Sequence, residues 1–185
     1  MKPLSLKNIV AISGSTRKNS TNYLLIKAIG ELSNDIFEIT MFEDLLDLPA
    51  FNPEESFENT PAKVLDFRTL LQTADGILIC TPEYAHGVPG ILKNAIDWTV
   101  SSAEFSNKPT VLITASTDGK YGHASLLETL KVIEAKNIED LQLLIPFAKT
   151  KINGEGKITD EKTLEEIKTV ILKFKDTINE LLLPC

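Results

Sequence analysis

The feature that most constrains this chain is the alternation of short, β-rich apolar runs with longer stretches of helical period. Gly76 to Thr81 and Thr110 to Ala115 are almost continuously apolar, as strands covered on both faces should be. Asn8 to Ser13, Phe37 to Phe42 and roughly Asp140 to Pro146 are the other strand candidates, and helical period fills the intervals at Thr21 to Leu32, Ala62 to Thr73, Val88 to Ser101 and Ala124 to Lys136. Repeated strand–helix–strand units predict an α/β fold with a parallel sheet, and right-handed crossovers place helices on both faces. After Asn153-Gly154 and a cap at Thr159 or Asp160, the series Leu164, Ile167, Ile171, Phe174, Ile178, Leu181 steps by three and four residues. That series spans fewer than three heptads and lacks a clear e/g charge pattern, which favours packing on the sheet over a coiled-coil seam.

With 185 residues, 43% of them hydrophobic, the chain suits one domain spanning 1–185. Its 19 basic and 26 acidic side chains leave a balance of −7, which repels a phosphate-coated duplex and argues against nucleic acid. No apolar run approaches the roughly 20 residues of a membrane helix, and Ile9 to Ile12 is too short for a signal-peptide core, so a cytoplasmic protein is expected. Cys80 and Cys185 could pair in principle, but two cysteines and two histidines without ligand-like spacing make neither a disulfide framework nor a zinc site. Cys80 reads as a small core residue, and His123 has no visible partner. The stretch Glu43 to Pro61 holds three prolines and six acidic residues without periodicity. It reads either as a solvated connection or, because Leu48, Phe51 and Phe57 are poor residues to leave in water, as a segment folded over a site.

Three loops carry the functional signal, each following a strand. The first, Gly14-Ser15-Thr16-Arg17-Lys18-Asn19-Ser20-Thr21-Asn22, leads into a helix, where unpaired N–H groups, the helix dipole and hydroxyls can bind phosphate. Arg17 adds a permanent, forked cation. The plainer alternative is a helix cap at Ser20 or Thr21 with Arg17 in solvent. The loop is neither G-x-x-x-x-G-K-[ST] nor G-x-G-x-x-G, which removes support for a nucleoside triphosphate or dinucleotide fingerprint. The second loop, Thr81 to Gly90, is shaped by Pro82, Gly87 and Pro89, with Gly87 expected to relieve steric limits beside a ligand. The third, Ser116 to Gly122, again combines hydroxyls with glycines. In strand order 2-1-3-4-5 the first, third and fourth strands are adjacent at the topological switch point, so one crevice can use all three loops.

These residues resemble the NADPH-dependent FMN reductase family, flavodoxin-like enzymes that include quinone, chromate and azo-dye reductases. The resemblance lies in Gly14-Ser-Thr-Arg17-x-x-Ser20-x-Asn22, in Leu48-Pro49-x-Phe51-Asn52, and in Pro82-Glu83-Tyr84 followed by Gly87-Val-Pro89-Gly90-x-Leu92-Lys93-Asn94-Ala95-Ile96-Asp97-Trp98. It implies a flavodoxin-like three-layer α/β/α sandwich whose five-stranded parallel sheet has the order 2-1-3-4-5. It also implies bound FMN, with NADPH or NADH as electron donor. Ser15, Arg17, Ser20, Thr21 and Asn22 would surround the FMN phosphate, Pro82, Glu83, Tyr84, Ala85 and Gly87 would border the ring, and Ser116 and Gly119 would complete the site. Many members carry Asn where this chain has Ala85, so Ala85 and the neighbouring His86 are expected to tune the choice of acceptor. Asn94, Asp97 and Trp98 read as packing or subunit-contact residues.

The implied reaction is hydride transfer from NAD(P)H to FMN, then two electrons to a quinone, azo compound, metal oxyanion or free flavin, with no catalytic side chain and no metal required. A flavodoxin-type electron carrier and a non-catalytic flavin-binding protein are the alternatives. The resemblance also implies a homodimer or homotetramer. Its contact is expected around the helix after the third strand, near Trp98, with the Glu43 to Pro61 loop close to the other subunit's flavin.

Overall fold

A computed structural model describes residues 6–55 and 59–181. β1 (Lys7–Ser13), β2 (Phe37–Phe42), β3 (Gly76–Thr81), β4 (Thr110–Ala115) and β5 (Gln142–Ile145) form one parallel sheet in the order β2-β1-β3-β4-β5. The pleat sends alternate side chains into two cores. Ile9, Ala11, Leu78, Cys80, Val111 and Ile113 pack beneath α1 (Thr21–Leu32) and α6 (Glu161–Leu181). Val10, Ile12, Ile77, Ile79 and Leu112 pack beneath α2 (Ala62–Thr73), α3 (Gly90–Asp97) and α4 (Lys120–Val132). This is the three-layer flavodoxin-like sandwich that the alternation and the resemblance imply.

Asp160 starts α6, its Oδ1 accepting hydrogen bonds from the Thr163 backbone N–H at 2.9 Å and the Thr163 hydroxyl at 2.6 Å. The helix buries Ile167, Ile171, Phe174 and Ile178 on the sheet, as the spacing predicts, and the Phe174 ring meets Phe37 at 5.3 Å. That fit needs glycine at position 76, where a Cβ would lie 2.5 Å from Phe174 Cζ. Leu181, the last member of the series, is 47% exposed.

Element ends differ from the sequence reading at β5, α3 and α4. β5 is confined to Gln142–Ile145, and a short α5 (Ala148–Lys151) follows it. α3 spans only Gly90–Asp97, because the chain turns after Trp98. α4 begins at Lys120 rather than Ala124, since Gly119, at φ +90°, turns the chain directly into the helix.

Among the described residues of 43–61, 3-10 turns form at Leu45–Asp47 and Pro53–Glu55, and Leu45 and Leu48 are buried in the second core. The segment is held on α3. Asn94 Nδ2 and Trp98 Nε1 both donate to the Pro49 carbonyl at 2.9 Å, while Asn94 Oδ1 accepts from Phe51 N–H at 2.8 Å. Phe51 meets the Trp98 ring edge-on at 5.1 Å. Within the described part, the segment is therefore anchored through Leu45, Leu48, Pro49 and Phe51 while most of its other residues stay exposed, and two of the motifs that carry the family resemblance bind each other. Trp98 is fully buried in this way, so it serves packing within its own chain. Phe57 and Cys185 lie outside the described residues.

Candidate functional site

The strand ends at one edge of the sheet gather the three loops. Gly14 is demanded by close approach: a Cβ there would sit 2.2 Å from Thr81 Oγ1, and its N–H donates to Cys80 O at 2.9 Å. Ser20 is the α1 cap, its Oγ accepting the Tyr23 N–H at 3.1 Å. Helix geometry then supplies no intrahelical acceptor for the Thr21 and Asn22 N–H groups. Asn22 is buried and braces the edge, its Nδ2 donating to Ala115 O at 3.2 Å and its Oδ1 accepting from Cys80 Sγ at 3.3 Å. Burial pushes the Cys80 thiol far above its ordinary range, which suits an inert core residue.

The result is a crevice of about 410 Å³. Ser15, Arg17, Thr21 and Asn22 form one end; Pro82, Glu83, Tyr84, Ala115, Ser116 and Thr117 form the middle; and residues 147–150 close the far side. Arg17 is exposed and forms no ion pair among the described residues. The crevice thus joins a cationic helix N-terminus to a slot with Pro82, Tyr84, Ala115 and Phe147 in its walls, a combination that fits a planar ring carrying a phosphate tail.

The second loop is shaped differently from the sequence reading. Tyr84 and Gly87 exchange backbone hydrogen bonds at 3.1 and 2.9 Å, and the two residues between them have positive φ, 48° at Ala85 and 58° at His86. These are the conformations of a type I′ turn. The unusual backbone is therefore carried by Ala85 and His86, not by Gly87, which has neither positive φ nor a close neighbour at its Cβ position. Ala85, His86 and Gly87 stand outside the lined crevice, and the His86 ring lies against Tyr121 at 4.4 Å. Asn tolerates the left-handed region better than Ala. Ala85→Asn is expected to raise stability by about 0.5–1 kcal/mol, read as an increased urea midpoint at unchanged slope. A decrease would show that the turn is not under this strain.

Glu83 clamps this loop to the third. Its Oε2 accepts the Gly122 N–H at 2.6 Å in the first turn of α4, while its own N–H donates to Ser116 Oγ at 3.3 Å. A carboxylate at a helix N-terminus is also favoured by the helix dipole. Gly119 supplies the left-handed pivot before α4 and does not line the crevice; Ser20, the helix cap, does not line it either.

Sequence reasoning missed the fourth wall. Phe147 has φ 54° and is 62% exposed, its N–H donating to Thr117 O at 3.0 Å, and Ala148 N–H donates to Ser116 O at the same distance. The loop after β5 leaves the same carboxyl edge as the other three, which was the available signal. It lacks their glycines and hydroxyl clusters, so composition did not mark it.

His123 does have partners, contrary to the sequence reading. Its Nδ1 is 2.9 Å from Thr114 Oγ1 and its Nε2 is 2.7 Å from Gln142 Oε1, with Gln142 oriented by donating its Nε2 proton to Glu139 O at 3.0 Å. The Gln142 oxygen can only accept, so Nε2 carries the proton and the neutral ring accepts from Thr114. Burial lowers the pKa below the ordinary 6.5, opposed by the Gln142 bond. The unfolded chain therefore takes up the proton first, and this residue's contribution to stability falls as pH drops through about 6.5. Urea midpoints of the parent should fall more between pH 7 and 5.5 than those of His123→Gln; equal falls would refute the assignment.

Among the described residues no helix is long and apolar enough to cross a membrane, and no group of three or more His, Cys, Asp or Glu is placed to hold a metal. An open parallel sheet with a cationic loop after β1 and a slot at the switch point is the flavodoxin-like arrangement. The chain belongs to the NADPH-dependent FMN reductase family, whose model matches residues 7–150. It is 31% identical over 165 residues to an NAD(P)H-dependent FMN reductase of Pseudomonas aeruginosa, covering 86% of this chain and 88% of that one. It is 29% identical over 178 residues to a quinone reductase of Escherichia coli, covering 92% and 94%. The flavoenzyme NAD(P)H:(acceptor) oxidoreductase FerB of Paracoccus denitrificans shares the fold, with TM-score 0.75 and 24% identity over 95% of this chain and 98% of that one. The protein is an NAD(P)H-dependent oxidoreductase with FMN as its cofactor.

Proposed function

We propose that the crevice holds FMN with its phosphate at the α1 end and its ring between the Pro82 to Tyr84 segment and Phe147, and that the enzyme reduces quinones or azo compounds. The observation that carries this reading is the joining of Arg17 and a helix N-terminus to the slot in one crevice. Ser15, Arg17 and Thr21 would bind the phosphate directly, whereas Ser20 and Asn22 would act by shaping the loop. Pro82, Glu83, Tyr84 and Ser116 would border the ring, with Glu83 fixed by Gly122 so that the wall is preformed. When bound, FMN would supply the two-electron redox chemistry that links the nicotinamide donor to the acceptor. The chain's own part is to orient and partly cover; no side chain is assigned a proton. Ala85 and His86, on the turn beside the slot, would influence which acceptor is preferred.

The names of similar proteins support the acceptor class, among them an NADPH azoreductase of a Bacillus strain, 36% identical over 126 residues, as well as the quinone reductase above. The proposal extends to one flavin-binding unit over residues 1–185, to a cytoplasmic location, and to a homodimer or homotetramer. Trp98 is spent inside the chain, so a subunit contact near α3 would use Val100, 55% exposed, and Phe51, 36% exposed. Light scattering at micromolar concentration reads the oligomer, and a strictly monomeric mass would refute it. Steady-state NAD(P)H consumption by FMN-loaded protein with a soluble quinone and an azo dye tests the activity. Turnover without any partner reductase is expected. Flavin binding without turnover would instead indicate an electron carrier or a non-catalytic flavoprotein.

A further inference from the structure

The crevice does not end at Arg17. A second cavity of about 360 Å³ continues past it and shares Arg17, Thr21 and Lys149 with the first. Lys18 borders this trough but not the crevice, and half-buried Leu24, lying near the buried Ile152, gives it an apolar edge. Arg17, Lys18 and Lys149 form no ion pair among the described residues, and no carboxylate lines the trough. In a chain of net charge −7 this is a locally cationic trough, open to solvent and continuous with the phosphate end of the crevice. FMN ends at its phosphate and has nothing to place there. A ligand reaching both cavities carries a further anionic group beyond the first.

We propose that the trough is a second phosphate subsite taking the adenylate half of a dinucleotide, with Lys18 as its own cation and the Leu24 edge beside the purine. This rests on the reading of the crevice as the flavin site. Adenylate phosphate reaches the protein from two sources: FAD, in which it follows the flavin phosphate covalently, or the nicotinamide dinucleotide donor. The binding chemistry is the same, and the two are separable.

Lys18 is exposed on the loop before α1, so Lys18→Ala should fold as the parent does. Its affinities for FMN and FAD are compared with the parent's by flavin fluorescence at low salt, and the KM for NADPH is measured on the FMN-loaded protein. A loss of about 5-fold to 20-fold for FAD, with FMN changed less than about twofold, places FAD's adenylate in the trough. A similar rise in the KM for NADPH, with both flavin affinities held, places the donor's adenylate there. Added salt should erase either difference. If neither quantity moves, or if FMN weakens as much as FAD, the trough is not an adenylate subsite. A parent protein that binds neither flavin overturns the crevice assignment instead, which keeps the two failures distinct.

Discussion

Trp98→Ala is expected to destabilise the protein by about 3–5 kcal/mol, the range for deleting a fully buried large aromatic side chain. Trp98 has no solvent exposure, and its loss removes the edge contact with Phe51 as well as the Nε1 hydrogen bond to Pro49 O. The Pro49 carbonyl is not orphaned, because Asn94 Nδ2 still donates to it at 2.9 Å. Trp98→Phe, which keeps an aromatic ring in the cavity, should therefore cost much less in the hydrogen-bond part, about 0.5–1.5 kcal/mol, with a further packing loss from the smaller ring. Urea unfolding of both variants separates packing from hydrogen bonding. If the alanine variant stays within about 1 kcal/mol of the parent, far below the usual range, residues 43–55 are not pinned by this side chain.

Arg17→Ala should weaken FMN by roughly 1.5–3 kcal/mol, about 10-fold to 150-fold in dissociation constant, if the guanidinium makes a charge-assisted bond to the phosphate. Riboflavin lacks the phosphate and is the internal control. Its weaker binding should hardly respond. Lys18→Ala should leave FMN nearly unchanged, since Lys18 borders the neighbouring trough and not the crevice. Lys149 lines both cavities and is the competitor to watch, although it stands on the far wall rather than at the helix N-terminus. Equal losses for FMN and riboflavin would mean that Arg17 supports the loop, and no loss for either would remove it from the site.

Much of this was legible from the chain because strand pattern and loop position are local properties. The doubly apolar runs Gly76–Thr81 and Thr110–Ala115 mark central strands, and their neighbours follow from the alternation. The phosphate-type loop was legible for the same reason: it sits at a fixed place after the first strand. What escaped depends on contacts between segments far apart in sequence. Nothing near His123 announces Thr114 and Gln142. Phe147 enters the crevice through backbone bonds to the loop after β4. The positive φ values at Ala85 and His86 have no local sequence mark, because neither is a glycine and the glycine beside them, Gly87, does not carry positive φ. Asn22 and Ser20 look like ligands in sequence, yet their side chains are engaged in bracing and capping.

An equilibrium titration of FMN against the purified protein, followed by fluorescence and absorbance and repeated with Arg17→Ala, tests the flavin site at its root. A yellow protein, or an apoprotein that reconstitutes with one FMN per chain, is expected, with an affinity that falls at least about tenfold in the variant. A colourless protein that FMN cannot reconstitute would contradict it.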